Sequence, residues 1–135
     1  MIALAEFSPP GLARPLVFAH RGGAALRPEN TMVAFDHGLA LGADGVELDV
    51  HLSRDGVVVV HHDDTLDRTT SAHGPIAART ADELAAVDAG YRFTSDASAA
   101  APQHPFRGQH IGVPRLRAVL ERHRQARVII ETPRE

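Results

Sequence analysis

Cysteine is absent from the 135 residues. Disulfides and thiolate metal sites are therefore excluded. Lysine is absent too: all 14 basic residues are arginine, so no lysine ammonium is available to hold a phosphate. No apolar run approaches the roughly 20 residues that a membrane-spanning helix needs. The opening "MIALAEFSPPGLARP" has neither a basic n-region nor a long apolar h-region. It does not read as a signal peptide, which leaves the cytoplasm as the default expectation. A broad basic field is also missing. With a net charge of −3, nucleic acid is not an expected partner.

What is present suits one modest domain with a real core. Apolar residues make up 44% of the chain, in the range of a folded globular protein. Residues 1–14 are expected to form an N-terminal arm, and residues 15–135 the domain. "PLVFAH" (15–20) reads as a short buried strand that runs into the Gly-rich loop "RGGAALRPEN". "ENTMVAFDHGLALGA" reads as a helix capped by Asn30 or Thr31, with Met32, Phe35 and Leu39 on one face and Gly42 as its stop. "DGVELDVHL" alternates: Val46, Leu48, Val50 and Leu52 point one way, and Glu47, Asp49 and His51 the other. "SRDG" is a hairpin turn into "VVVVHH". "TADELAAVDAG" carries a capping box, Thr80 with Glu83. Residues 91–112 have no period. "VPRLRAVLERHRQA" restarts a helix at Pro114 with Leu116, Val119 and Leu120 on its buried face. "RVIIE" (127–131) closes as a strand. This β–α alternation predicts a parallel α/β architecture.

Chemistry collects at the predicted strand ends. Glu47 and Asp49 place two like charges on adjacent same-face positions, which costs stability unless something neutralises them. A divalent cation does so, and oxygen ligands suit Mg²⁺, Ca²⁺ or Mn²⁺. A half-exposed strand with a solvated acidic face explains the same two residues. His20 and Arg21 follow the first strand, His62 the hairpin strand, and Glu131 the last. Carboxyl ends of parallel strands are where α/β folds hold their sites. Two histidines, three carboxylates and an arginine form a kit suited to metal-assisted phosphodiester cleavage.

In order, "AHRGG", "RPENTMVAF", "GLALGADGVELDVHLSRDGVVVVHHDDTLDRTT", "LAAVDAGYRF", "PFRG", "VPRLRAVLE" and "VIIE" resemble the glycerophosphodiester phosphodiesterase family over about residues 16–131. The resemblance implies a (β/α)₈ TIM-type barrel, here only about its first half, with 91–112 as a small inserted excursion over the barrel mouth. It implies hydrolysis of a small-molecule glycerophosphodiester to glycerol 3-phosphate and an alcohol, at a bound Mg²⁺ or Ca²⁺, with Mn²⁺ as a third choice. By resemblance, Glu47, Asp49 and Glu131 match the metal ligands, and His20 and His62 the acid–base pair. Arg21 matches the phosphate contact. Glu29 and Asn30 lie in the "PENT" loop that braces the site, and Glu29 is counted with the substrate-binding residues. His61 is expected to pack, Asp63 to orient a neighbour and Asp64 to make a turn.

Two departures stand out. The family's barrel takes about 250 residues, roughly twice this chain. Two positions after Glu131, where the family commonly has lysine, stands Pro133. A partial barrel leaves strand edges open, here near Val17 and Phe18 and near Val128–Ile130. The isolated chain is therefore expected to be unstable or completed by self-association, and to hydrolyse such substrates poorly. A sphingomyelinase-D-like phospholipase and a catalytically inactive fragment are the alternative readings.

Overall fold

The computed structural model describes Gly11 and residues 14–134. The expected N-terminal arm, apart from Gly11 and Arg14, lies outside the described residues. The elements run β1 (Phe18–His20), α1 (Met32–Ala40), β2 (Gly45–Leu52), β3 (Val58–Val60), a 3₁₀ turn (Ile76–Ala78), α2 (Ala81–Ala86), α3 (Leu116–Arg122) and β4 (Arg127–Glu131). This is the order that the sequence pattern predicts.

β2 organises the sheet. Its first half pairs in parallel with β1 on one side and β4 on the other. Its second half turns antiparallel against β3. The "SRDG" turn closes that hairpin, with Ser53 and Val57 joined N–H to carbonyl at 2.9 Å. The parallel strands β1, β2 and β4, joined through helices, are adjacent staves of a partial (β/α) barrel. Ahead of β1, Arg14 forks onto both oxygens of Asp44 at 2.8 and 2.7 Å.

Period-2 alternation divides β2 between two environments. Val46 and Leu48 are fully buried, packed with Phe35 of α1, Val60 of β3 and Val119 of α3. β3 divides likewise: its neighbour Val59 enters a second core with Leu66, Ile76, Leu84 and Val113. Thr31, rather than Asn30, caps α1, accepting from the Ala34 amide. The capping box of Thr80 and Glu83 on α2 is present in both directions. Leu120 departs from expectation: it is 39% exposed. α3 has only seven residues, and Leu120 opens onto a surface groove with Val58 and Leu116 instead of the core.

Residues 91–112 form neither helix nor strand. They are tied by their own contacts. Phe93 and Phe106 meet edge to face at 5.4 Å, and the Arg107 guanidinium lies 3.9 Å over the Tyr91 ring. Asp88 accepts from the Gly90 and Gly108 amides, closing the base of the segment.

Gly45 shows how tightly the staves meet. A Cβ there would press on the Arg127 carbonyl of β4 and lie 2.7 Å from Phe18 Cε1 of β1. Neither neighbouring strand can retreat without losing its ladder. Gly45→Ala is expected to cost about 1–3 kcal/mol, read as a lowered denaturation midpoint with an unchanged m-value.

Candidate active site at the carboxyl ends of the strands

Strand register assembles the site. Parallel pairing sets His20 of β1 beside Glu47, and Glu131 of β4 beside Asp49. Paired strands lie about 4.8 Å apart, so the functional groups become neighbours by backbone geometry alone. One carboxylate oxygen from each of Glu47, Asp49 and Glu131 lies within 4.8 Å of the others. His20 Nε2 is 3.7 Å from Glu47 Oε2.

Glu47 and Asp49 are 8% and 7% exposed. Two carboxylates so placed need compensation. The loop after β1 supplies some. Arg21 adopts a left-handed backbone with φ 52°, a conformation that non-glycine residues keep only where the surroundings enforce it. That twist lets its amide donate to Glu47 Oε2 at 3.0 Å. Gly22, at φ 82°, lets the loop close on α1, where a Cβ would lie 2.7 Å from Ala34 Cβ. Asn30, also left-handed at φ 55°, donates its Nδ2 to Asp49 Oδ2 at 2.9 Å. Arg21 Nε is buried without a hydrogen-bond acceptor, 3.5 Å from that same oxygen. Among the described residues, no donor reaches Glu47 Oε1, Asp49 Oδ1 or either oxygen of Glu131. A hard cation that takes oxygen ligands at 2.0–2.6 Å fits this donor set.

His61 and His62, just past the end of β3, divide between core and surface. His61 is 5% exposed and its Nε2 donates to the Thr65 carbonyl at 3.0 Å. Burial holds its pKa below the usual histidine value. His62 faces the other way, onto a hollow of ≈ 350 Å³ that it shares with Asp49, His51, Glu131, Pro133 and Arg134. Its Nδ1 meets Asp63 Oδ1 at 2.7 Å. Asp63 lies far below the usual carboxylate range because Arg68 donates to it, with His62 adding to the effect. Asp64 serves the backbone: its carbonyl accepts from the Ile76 amide. A larger groove of ≈ 770 Å³, lined by Val57, Val58, Leu116 and Leu120 with arginines at its rim, has a single carboxylate, Glu121, and no histidine.

The structure thus brings Glu47, Asp49, Glu131, His20 and Arg21 together, and sets His62 on the hollow with Asp49 and Glu131. Glu29 stands behind them, accepting from Arg21 Nη1 at 3.2 Å and from Arg68 at 2.7 and 2.9 Å. Burial pushes its pKa up, but Arg68 and Arg21 outweigh that and hold it below the usual value. The sequence reading gave two residues here no role. His51 continues the Glu47–Asp49 face of β2, and its Nε2 donates to the His62 carbonyl at 2.8 Å; the period-2 spacing was its signal. Arg68 sits in "LDRTT", with nothing local to mark what it reaches.

Comparison with known proteins places these residues in a family. The model of the glycerophosphoryl diester phosphodiesterase family matches residues 20–135. A glycerophosphodiester phosphodiesterase of Caldanaerobacter subterraneus is 50% identical over 80 residues, 59% of this chain and 33% of that protein. A crystal structure of the glycerophosphoryl diester phosphodiesterase domain of a Mycobacterium tuberculosis protein superposes with a TM-score of 0.81 at 30% identity. The match covers 87% of this chain and 43% of that one. An Oleispira antarctica phosphodiesterase, solved in complex with the product sn-glycerol-3-phosphate, gives a TM-score of 0.71 at 32% identity, covering 88% and 44%. The chain therefore spans a third of that first relative and less than half of either solved structure. With the matched model running through both strand-end histidines and all three clustered carboxylates, the chain belongs to the glycerophosphoryl diester phosphodiesterase family.

Proposed function

We propose that this chain carries the cation and proton-transfer centre of an enzyme that hydrolyses glycerophosphodiesters to glycerol 3-phosphate and an alcohol. The observation that carries the reading is the convergence of Glu47, Asp49 and Glu131 oxygens within 4.8 Å beside His20. Those carboxylates hold the divalent cation, Mg²⁺, Ca²⁺ or Mn²⁺. When bound, the cation offsets charge building on the phosphoryl oxygens. Arg21 meets the phosphate with Nη2, which has no acceptor among the described residues, while Glu29 steadies Nη1. One histidine of His20 and His62 takes a proton from the attacking hydroxyl, and the other returns one to the departing alkoxide. Residues 91–112 form an excursion over the mouth and shape substrate entry. Phe93 and Thr94 share a hollow of ≈ 180 Å³ with Glu29 and Arg68, which supports that placement.

Cation binding is the direct test. Titration calorimetry with Mg²⁺, Ca²⁺ and Mn²⁺ is expected to give one site per chain. Glu47→Gln and Asp49→Asn should each remove it, while the fold, followed by circular dichroism, stays. Binding that survives both changes would refute the assignment.

Proton transfer is tested separately. Release of glycerol 3-phosphate by a full-length relative, followed by a coupled assay, is expected to fall about 10²-fold or more when the residue matching His20 or His62 is replaced by Ala, with cation affinity retained. A loss of less than a few-fold in either variant sinks the acid–base pair.

The sheet edges bear on the state in which the chain acts. Among the described residues, β1 and β4 each pair on one side only. Val17, Ile129 and Ile130 are 58%, 44% and 42% exposed. Such edges add further strands. Self-association of the isolated chain is expected, visible as a molar mass by light scattering above 14.5 kDa. A monomer that stays monomeric at high concentration overturns this expectation.

A further inference from the structure

Arg68 touches none of the groups given a role in the reaction except Glu29, yet it is held more firmly than any of them. Its Nε and Nη2 span Asp63 at 2.8 and 3.0 Å. Its Nη1 and Nη2 span Glu29 at 2.7 and 2.9 Å. The two carboxylates stand on different loops, one after β3 and one before α1. Beyond each lies a reacting group: Asp63 Oδ1 meets His62 Nδ1 at 2.7 Å, and Glu29 Oε2 meets Arg21 Nη1 at 3.2 Å. The result is one unbroken line, His62–Asp63–Arg68–Glu29–Arg21.

A single surface ion pair would add little. A planar guanidinium forked onto two carboxylates does something else: it fixes their separation and orientation together. It also holds in place the carboxylate that fixes a proton. Asp63 is a carboxylate wherever His62 is neutral, so its oxygens only accept. The proton in the His62–Asp63 bond must then sit on His62 Nδ1, which leaves Nε2 as the nitrogen that exchanges protons with substrate. Both faces of Arg68's charge are spent on carboxylates, so it is not itself a phosphate ligand.

We propose that Arg68 is a positioning residue that ties the loop bearing His62 to the loop bearing Arg21, and so sets the tautomer and aim of His62. The importance of that aim rests on the acid–base role given above; the tautomer itself does not.

The test reads the His62 ring nitrogens by ¹⁵N NMR in the full 135-residue chain, at a pH where the ring is neutral. The wild type is expected to carry its proton on Nδ1. Arg68→Met keeps the stem and loses the donors; Arg68→Lys keeps the charge but loses the planar fork that grips both oxygens of each carboxylate. Both are expected to lose the Nδ1 preference, as is Asp63→Asn, and the double variant Arg68→Met/Asp63→Asn is expected to lose no more. Turnover should fall about 10- to 10²-fold in Arg68→Met, as for a displaced catalytic group, through kcat with cation affinity kept. Unchanged His62 nitrogen signals in folded Arg68→Lys overturn the proposal, whatever Arg68→Met does. Loss of the Nδ1 preference with turnover unchanged counts against the acid–base role of His62 and upholds this proposal; in a chain without measurable turnover the ring signals decide.

Discussion

Two carboxylates almost out of water on one strand face set the terms for the rest of this molecule. Glu47 and Asp49 share a face of β2 with Glu131 beside them. Nothing apolar can offset that repulsion. The chain answers with donors delivered by backbone conformations that most residues avoid. Arg21 and Asn30 both sit in the left-handed region, and both direct a donor at this pair. The loop "RGGAALRPEN" is thus less a connection than a lining. Its strain is held in place by the packing of α1, through Gly22 against Ala34 and Phe35.

The same strand carries two kinds of sheet, and that division places the candidate site residues. Parallel neighbours bring His20 and Glu131 alongside at the middle of β2, whereas the antiparallel hairpin brings His62 back over its far end. A purely parallel sheet would put His62 a full crossover away. His51 marks the junction: its bond to the His62 carbonyl stitches the hairpin end to the face that holds Asp49. Just past the end of β3, His61 is buried while its neighbour meets solvent.

Most of the fold was legible because its signals are local. The capping box at Thr80, the Asp-Gly hairpin and the alternation of β2 each depend on a few adjacent residues, and each formed as read. The grouping of Glu47, Asp49 and Glu131 was legible because strand ends converge in a parallel sheet. What escaped depends on tertiary context. Leu120 has the helical spacing of a core residue, but α3 is short and only Val119 reaches full burial. Arg68 bonds to Glu29 across 39 residues, a partnership with no trace in spacing or composition. Asp63, read from its place beside His62, was legible; the guanidinium that grips it was not.

The long closure that β4 makes on β2 has a consequence for synthesis. The ladder joins Asp49 to Glu131, and the Asp36–Arg122 pair that holds α1 to α3 spans 86 residues. A ribosome adds about 5–20 residues per second, so β2 emerges seconds before its partner exists. Through that interval the nascent chain exposes one flank of β2 and carries an acidic pair without its third member. Early compaction must rest on β1, α1 and the β2–β3 hairpin, whose contacts are close in sequence. The last strand arrives as a latch on a half-built sheet.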